Sequence, residues 1–133
     1  MIARRGAGRG AAPAAARWLP WGDAASLVLF TLVGLRFHRV AITPAQVLET
    51  AGPLLAAWFL FARLLGTYAR SGRWRLPLTW ALAVPVGLTI RQLWLGRPFA
   101  ASFLLFVGVA GSLTLAFLLV WRSLAWLVWL RGR

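Results

Sequence analysis

Few side chains in this chain can carry a proton at neutral pH. There are two acidic residues, one histidine and no cysteine, set against fifteen basic residues that are all arginine. Asp23 stands in "LPWGDAASLVLF", Glu49 in "AQVLETAG" and His38 in "RFHRV". General acid–base catalysis needs a proton carrier in a cleft, and nucleophilic catalysis needs an activated group beside a base. Two separated acids and one histidine meet neither need. Without Cys there is no thiolate nucleophile, thiolate metal site or disulfide. His38 has no second His, no Cys and no nearby acid, so it is a poor metal ligand and reads as a surface histidine. The expectation is therefore no catalytic, cofactor-binding or metal-binding residue, no cofactor, and a protein that is not an enzyme.

The elements that position these groups follow from composition. The chain is 133 residues long, 61% hydrophobic and 13% charged. A chain this short cannot hide so much apolar surface from water. Lipid is the solvent that fits. A membrane-spanning helix needs about 20 mostly apolar residues, and four stretches qualify: about 18–40, 44–69, 76–95 and 99–121. A Trp-rich continuation at 122–130 either extends the fourth helix or lies in the interface. These stretches make a four-span membrane domain, 18–130. Residues 1–17, rich in Arg, Ala and Gly, have little to bury and are expected to be a disordered tail. Loops are short. Thr43, Pro44 and Gln46 spell a helix start with a capping box. "RSGRWR" (70–75) is a basic turn, and "LGRP" (95–98) a stop and restart. The fold class predicted is all-α, an antiparallel up-down-up-down bundle of four transmembrane helices.

Arginine placement predicts orientation. With four spans, both termini and the middle loop share one side and carry ten arginines (4, 5, 9, 17, 70, 73, 75, 122, 131 and 133). The other side carries four (36, 39, 91 and 97). Both termini are therefore expected in the cytoplasm. The expected partners are the lipid bilayer and anionic headgroups, met through Arg residues at roughly 1 kcal/mol each. A homodimer or a membrane-protein partner is compatible with this. Nucleic acid is not expected, because the arginines sit between apolar segments. The nine Trp read mostly as interfacial anchors.

Charges within spans cost about 2.5–3.5 kcal/mol at the centre, so they face other helices, water or headgroups. Glu49, Gly52, Ala56, Leu60, Arg63, Thr67 and Arg70 recur at helical spacing and predict a polar, small-residue stripe turned inward. Depth counting puts Asp23 level with Arg63, and Glu49 near Arg36 and Arg91. These are the candidate intramembrane polar pairs. Three readings of Asp23 remain open: an N-cap of the first helix, a partner of Arg63, or a functional ion or proton site. Gly108, Gly111 and Ser112, Gly52 and Ala56, and Ala83 and Gly87 are expected to let helices approach closely. Pro53 and Pro85 fall inside spans.

"GDAASLVLFTLVG", His38, "GPLLAAWFLFARLLGTY" and "PVGLTIRQLWLGRP" resemble the small membrane proteins grouped as domain of unknown function 3054, over about residues 21–123. The Gly-Asp entry, the Pro-x-Gly-x-x-Ile-Arg run and the closing Trp-Arg come in the family's order. The stretch before His38 is more apolar here. The resemblance implies four spans in a bacterial cytoplasmic membrane, multi-pass, and no particular activity. It marks Gly22, Asp23, His38 and Arg91 as family-like positions of unknown role.

The function expected is a non-enzymatic integral membrane protein, accessory or scaffolding in kind. The alternative is a small dimeric transporter or channel with a polar site between helices 1 and 2. The arginine bias disfavours a dual-topology exporter, and Asp23 lies far from mid-span.

Overall fold

The computed structural model describes residues 14–68 and 75–131, with backbone alone at 14–16 and 129–130. Four helices follow in order: α1 (Ala14–Phe37), α2 (Pro44–Leu65), α3 (Arg75–Trp94) and α4 (Ala101–Arg131). No strand occurs among the described residues. All four helices are long and apolar enough to cross a membrane.

α1 begins earlier than the hydropathy pattern implied. Ala14 to Ala16 are the best helix formers, and they carry the helix into the segment expected to be a disordered tail. The remainder of that tail, 1–13, lies outside the described residues, as do 70–74 of the basic turn. Pro20 sits inside α1 rather than before it, a placement membrane helices tolerate. α2 starts where Thr43 and Pro44 indicate. The Thr43 hydroxyl accepts from the Gln46 amide at 3.3 Å, with Pro44 in the first turn. The capping box is only half made, because the Thr43 amide donates to the Ala41 carbonyl. Residues 122–130 continue α4 as one helix through Arg131. At 1.5 Å per residue it is roughly 46 Å long, longer than a ~30 Å hydrocarbon core.

α2 packs on α3 and α1 on α4, and contacts between α1 and α2 and between α3 and α4 join these pairs. One apolar cluster draws on every helix: Leu27, Leu54, Trp58, Ala83, Val84, Leu88, Ala110 and Leu118. α2 and α3 approach closely at Gly87, where an added Cβ would come 2.9 Å from the Leu54 Cα. Dispersion between closely packed backbones is the main attraction available where lipid is as apolar as the helices. Trp80 of α3 reaches α4 through a 2.9 Å bond from its indole N–H to the Gly111 carbonyl.

This packing corrects the expected inward stripe of α2. Its buried residues are Ala51, Leu54, Ala57, Trp58 and Ala62, while Ala56, Leu60 and Arg63 are exposed. Alanines let α3 come close. Arg63, in the last turn, carries its charge outward, where a long side chain reaches the headgroup layer. Of the small residues, Ala83, Gly87 and Gly111 are buried, whereas Gly108 and Ser112 face outward. Large apolar side chains such as Leu64, Leu104, Leu105 and Val128 are also exposed, which suits a lipid surround.

Candidate functional site

The most concentrated chemistry lies where the first turns of α1 meet the last turns of α4 and the end of α2. Asp23 is fully buried there. It is no N-cap, because α1 begins roughly two and a half turns earlier and the helix itself satisfies the local amides. Its carboxylate turns sideways. Arg122 Nη2 donates to Oδ2 at 2.7 Å and Arg122 Nε to Oδ1 at 3.2 Å. This is the two-pronged pairing that a planar guanidinium makes with a carboxylate. The Tyr68 hydroxyl donates to Oδ2 at 2.6 Å. That hydroxyl in turn accepts from the Trp58 indole N–H at 2.9 Å. The Arg122 guanidinium also lies 5.8 Å from the centre of the Tyr68 ring, within cation–π range.

The partner of Asp23 is thus Arg122, not Arg63. Depth counting places both arginines near the same level, but Arg63 is exposed and Arg122 is largely covered, with its side chain 21% accessible. A carboxylate taken out of water costs several kcal/mol unless it is paired and hydrogen-bonded. Asp23 is both, on each oxygen. Tyr68 lies just past α2, and burial, then the Asp23 charge, pushes its phenol above the ordinary range. It therefore stays a neutral donor.

Two further residues hold the clamp in place. The Trp121 indole lies directly on Gly22, and a Cβ at Gly22 would fall inside the ring. Glycine at 22 is thereby explained: it lets Trp121 cover Asp23's neighbour and brings α4 against α1. The Trp121 N–H is buried beside the Asp23 carboxylate, though it makes no well-aligned hydrogen bond among the described residues. Beside the clamp, the Thr67 and Thr79 hydroxyls meet at 2.6 Å, and the Arg75 guanidinium donates to the Leu65 and Gly66 carbonyls at the end of α2. These bonds tie α2 to α3 and satisfy carbonyls that a helix end leaves bare.

The second expected layer is not an ion cluster. Glu49 forms no ion pair with Arg36 or Arg91; the one ion pair among the described residues is Asp23–Arg122. Arg91 Nε instead donates to the Thr50 hydroxyl at 3.4 Å. Arg36 is exposed. His38 is exposed too, its ring set edge-on to Phe37 at 5.9 Å. Among the described residues no group of three His, Cys, Asp or Glu could hold a metal.

Sequence reasoning missed Tyr68, Trp58, Trp121 and Arg122. A signal existed for one of them. The start of α1 and the end of α4 were assigned to one side, which brings Arg122 to the depth of Asp23. The Trp readings divide: Trp18, Trp21, Trp94 and Trp126 are exposed, whereas Trp58 is fully buried in the core.

An all-helical chain with four helices able to cross a membrane is, by class, a multi-pass membrane protein. The chain belongs to the family described as Protein of unknown function (DUF3054), whose model matches residues 21–125. That region contains Gly22, Asp23, Trp58, Tyr68, Trp121 and Arg122, the whole of the clamp. No curated protein and no solved structure matches the chain.

Proposed function

We propose that this is a non-enzymatic integral membrane protein of accessory or scaffolding type, in which the Asp23 clamp is a structural lock. The observation that carries this reading is the occupancy of the carboxylate. Both Asp23 oxygens accept from residues of the same chain, Arg122 and Tyr68. A transported cation or proton would have to displace an arginine fork to reach it. The architecture proposed is an antiparallel up-down-up-down bundle. Its support is that Asp23, Tyr68, Arg75 and Arg122, from the start of α1, the end of α2, the start of α3 and the end of α4, meet at one end. Thr50 and Arg91 meet across α2 and α3 nearer the other. The arginine asymmetry supports both termini facing the cytoplasm of a bacterial cell, with the clamp near the inner face of its membrane. Anionic headgroups and a membrane-protein partner are the proposed contacts.

The second reading is a small dimeric transporter or channel with its polar site between helices 1 and 2. One observation favours it: the Asp23 carboxylate of α1 accepts from Tyr68 at the end of α2, so a polar contact does lie where these two helices meet. The discriminating experiment is reconstitution of the full chain into liposomes, with proton and monovalent-cation flux measured across a gradient. The lock reading expects no flux above protein-free vesicles, for the wild type and for Asp23→Asn. Flux that Asp23→Asn abolishes would replace it with the transporter reading.

A further inference from the structure

Three helices end in the same backbone device. Arg39 after α1, Gly66 after α2 and Gly96 after α3 all have left-handed backbones, with φ of 56°, 64° and 61°. In each case the next amide reaches back five residues. Val40 bonds to the Leu35 carbonyl at 2.9 Å, Thr67 to Ala62 at 2.9 Å and Arg97 to Gln92 at 3.1 Å. This is the usual helix stop that glycine enters without steric penalty. A residue with a Cβ is strained there. Of these three left-handed positions, only the one after α1 is an arginine rather than a glycine. Among the described residues the Arg39 side chain makes no hydrogen bond or ion pair, and neither does that of Arg36. Nothing among the described residues accounts for a guanidinium at this strained position.

The surroundings do account for it. Arg36 and Arg39 rim an open cleft of about 570 Å³, floored by Val40, Ala41 and Ile42. Ile42 also lines a second, apolar cleft of about 540 Å³ between α1 and α2, walled by Val28, Val47, Leu48, Ala51 and Leu55. Thr43 and Pro44 border it, bringing the positive end of the α2 dipole to the same place. Glu49, the acid of this end, lines neither cleft. The cleft that carries the two arginines and the apolar trough thus share one side chain, Ile42.

We propose that this end of α1 and α2 holds an anionic phospholipid, its phosphate between the Arg36 and Arg39 guanidiniums and an acyl chain lying in the α1–α2 trough. Arginine forks match phosphate oxygens, and the trough gives the chain an apolar bed that a soluble anion would not use. The proposal rests on the membrane-spanning reading.

The test is native mass spectrometry of the full chain released from nanodiscs of phosphatidylglycerol and phosphatidylcholine in equal parts. Preferential retention of phosphatidylglycerol is expected. Arg39→Gly should weaken it about fivefold, the loss that follows removing one basic group near an anionic lipid. The same substitution should leave the thermal midpoint unchanged or raise it, since glycine relieves the strained backbone. Arg36→Gln should weaken retention to a similar degree and guards against an Arg39 effect that is only local refolding. Equal retention of the two lipids, or phosphatidylglycerol retention unmoved in both variants, overturns the proposal. So does displacement of the lipid by millimolar inorganic phosphate, which would make the rim a site for a free anion. A wild-type chain that stayed out of the bilayer would overturn the membrane reading and this one together. An inserted chain without headgroup preference would overturn this one alone.

Discussion

The two ends of the molecule handle charge in opposite ways. At the Asp23 end, one buried carboxylate gathers Arg122, Tyr68 and, through Tyr68, Trp58, so that α1, α4 and the end of α2 are bound to a single group. At the Glu49 end, the acid makes no ion pair among the described residues, Arg91 donates to a threonine hydroxyl, and Arg36, Arg39 and Arg97 are exposed. The difference lies in desolvation. A charge that is fully buried must be completely paired or it destabilises the fold. Charges left near the surface can point outward at little cost and contribute about 0–1 kcal/mol as pairs. The described arginines therefore divide between two jobs. Arg122 holds helices together, and the outward arginines face whatever surrounds the protein.

The contrast can be broken most severely at its centre. Asp23→Ala leaves the Arg122 guanidinium and the Tyr68 hydroxyl without their acceptor. It should cost about 3–5 kcal/mol of folding free energy, read from reversible unfolding in mixed micelles. Gly22→Leu forces the Trp121 indole off α1 and should cost about 3 kcal/mol, the upper end for overpacking, with a red shift in tryptophan emission as Trp121 moves outward. Tyr68→Phe removes one hydrogen bond to a charged acceptor and strands the Trp58 N–H, for a loss of about 2 kcal/mol in the same unfolding assay. Glu49→Gln at the other end should change stability by no more than about 0.5 kcal/mol. If the Glu49 change rivalled the Asp23 change, the two ends would not differ as described.

Much of the fold could be read from the sequence because its signals are one-dimensional. Long apolar runs, Thr43-Pro44 and Gly96 mark where helices begin and end, whatever they pack against. The site was only half legible. Asp23 stood out by being an acid at the edge of an apolar run, and depth counting found the level of its partner. Depth does not say which way a side chain points around its helix. Arg63 and Arg122 compete at a similar level, and only the packing of α2 through Ala57, Trp58 and Ala62 turns Arg63 outward. The length of the Ala-rich start decided against the N-cap reading, since an earlier first turn moves Asp23 into the helix interior. The seat of Trp121 on Gly22 joins residues from the first and last helices and has no local signature at all.

That Asp23 and Arg122 act as one unit is the point on which the structural lock rests. A double-mutant cycle with Asp23→Asn and Arg122→Gln, measured by unfolding free energy, tests it most directly. A coupling of about 2 kcal/mol is expected between these two positions, and none beyond about 0.5 kcal/mol when Arg63→Ala replaces the Arg122 change. Additive losses at Asp23 and Arg122, or coupling that appears with Arg63 instead, would contradict it.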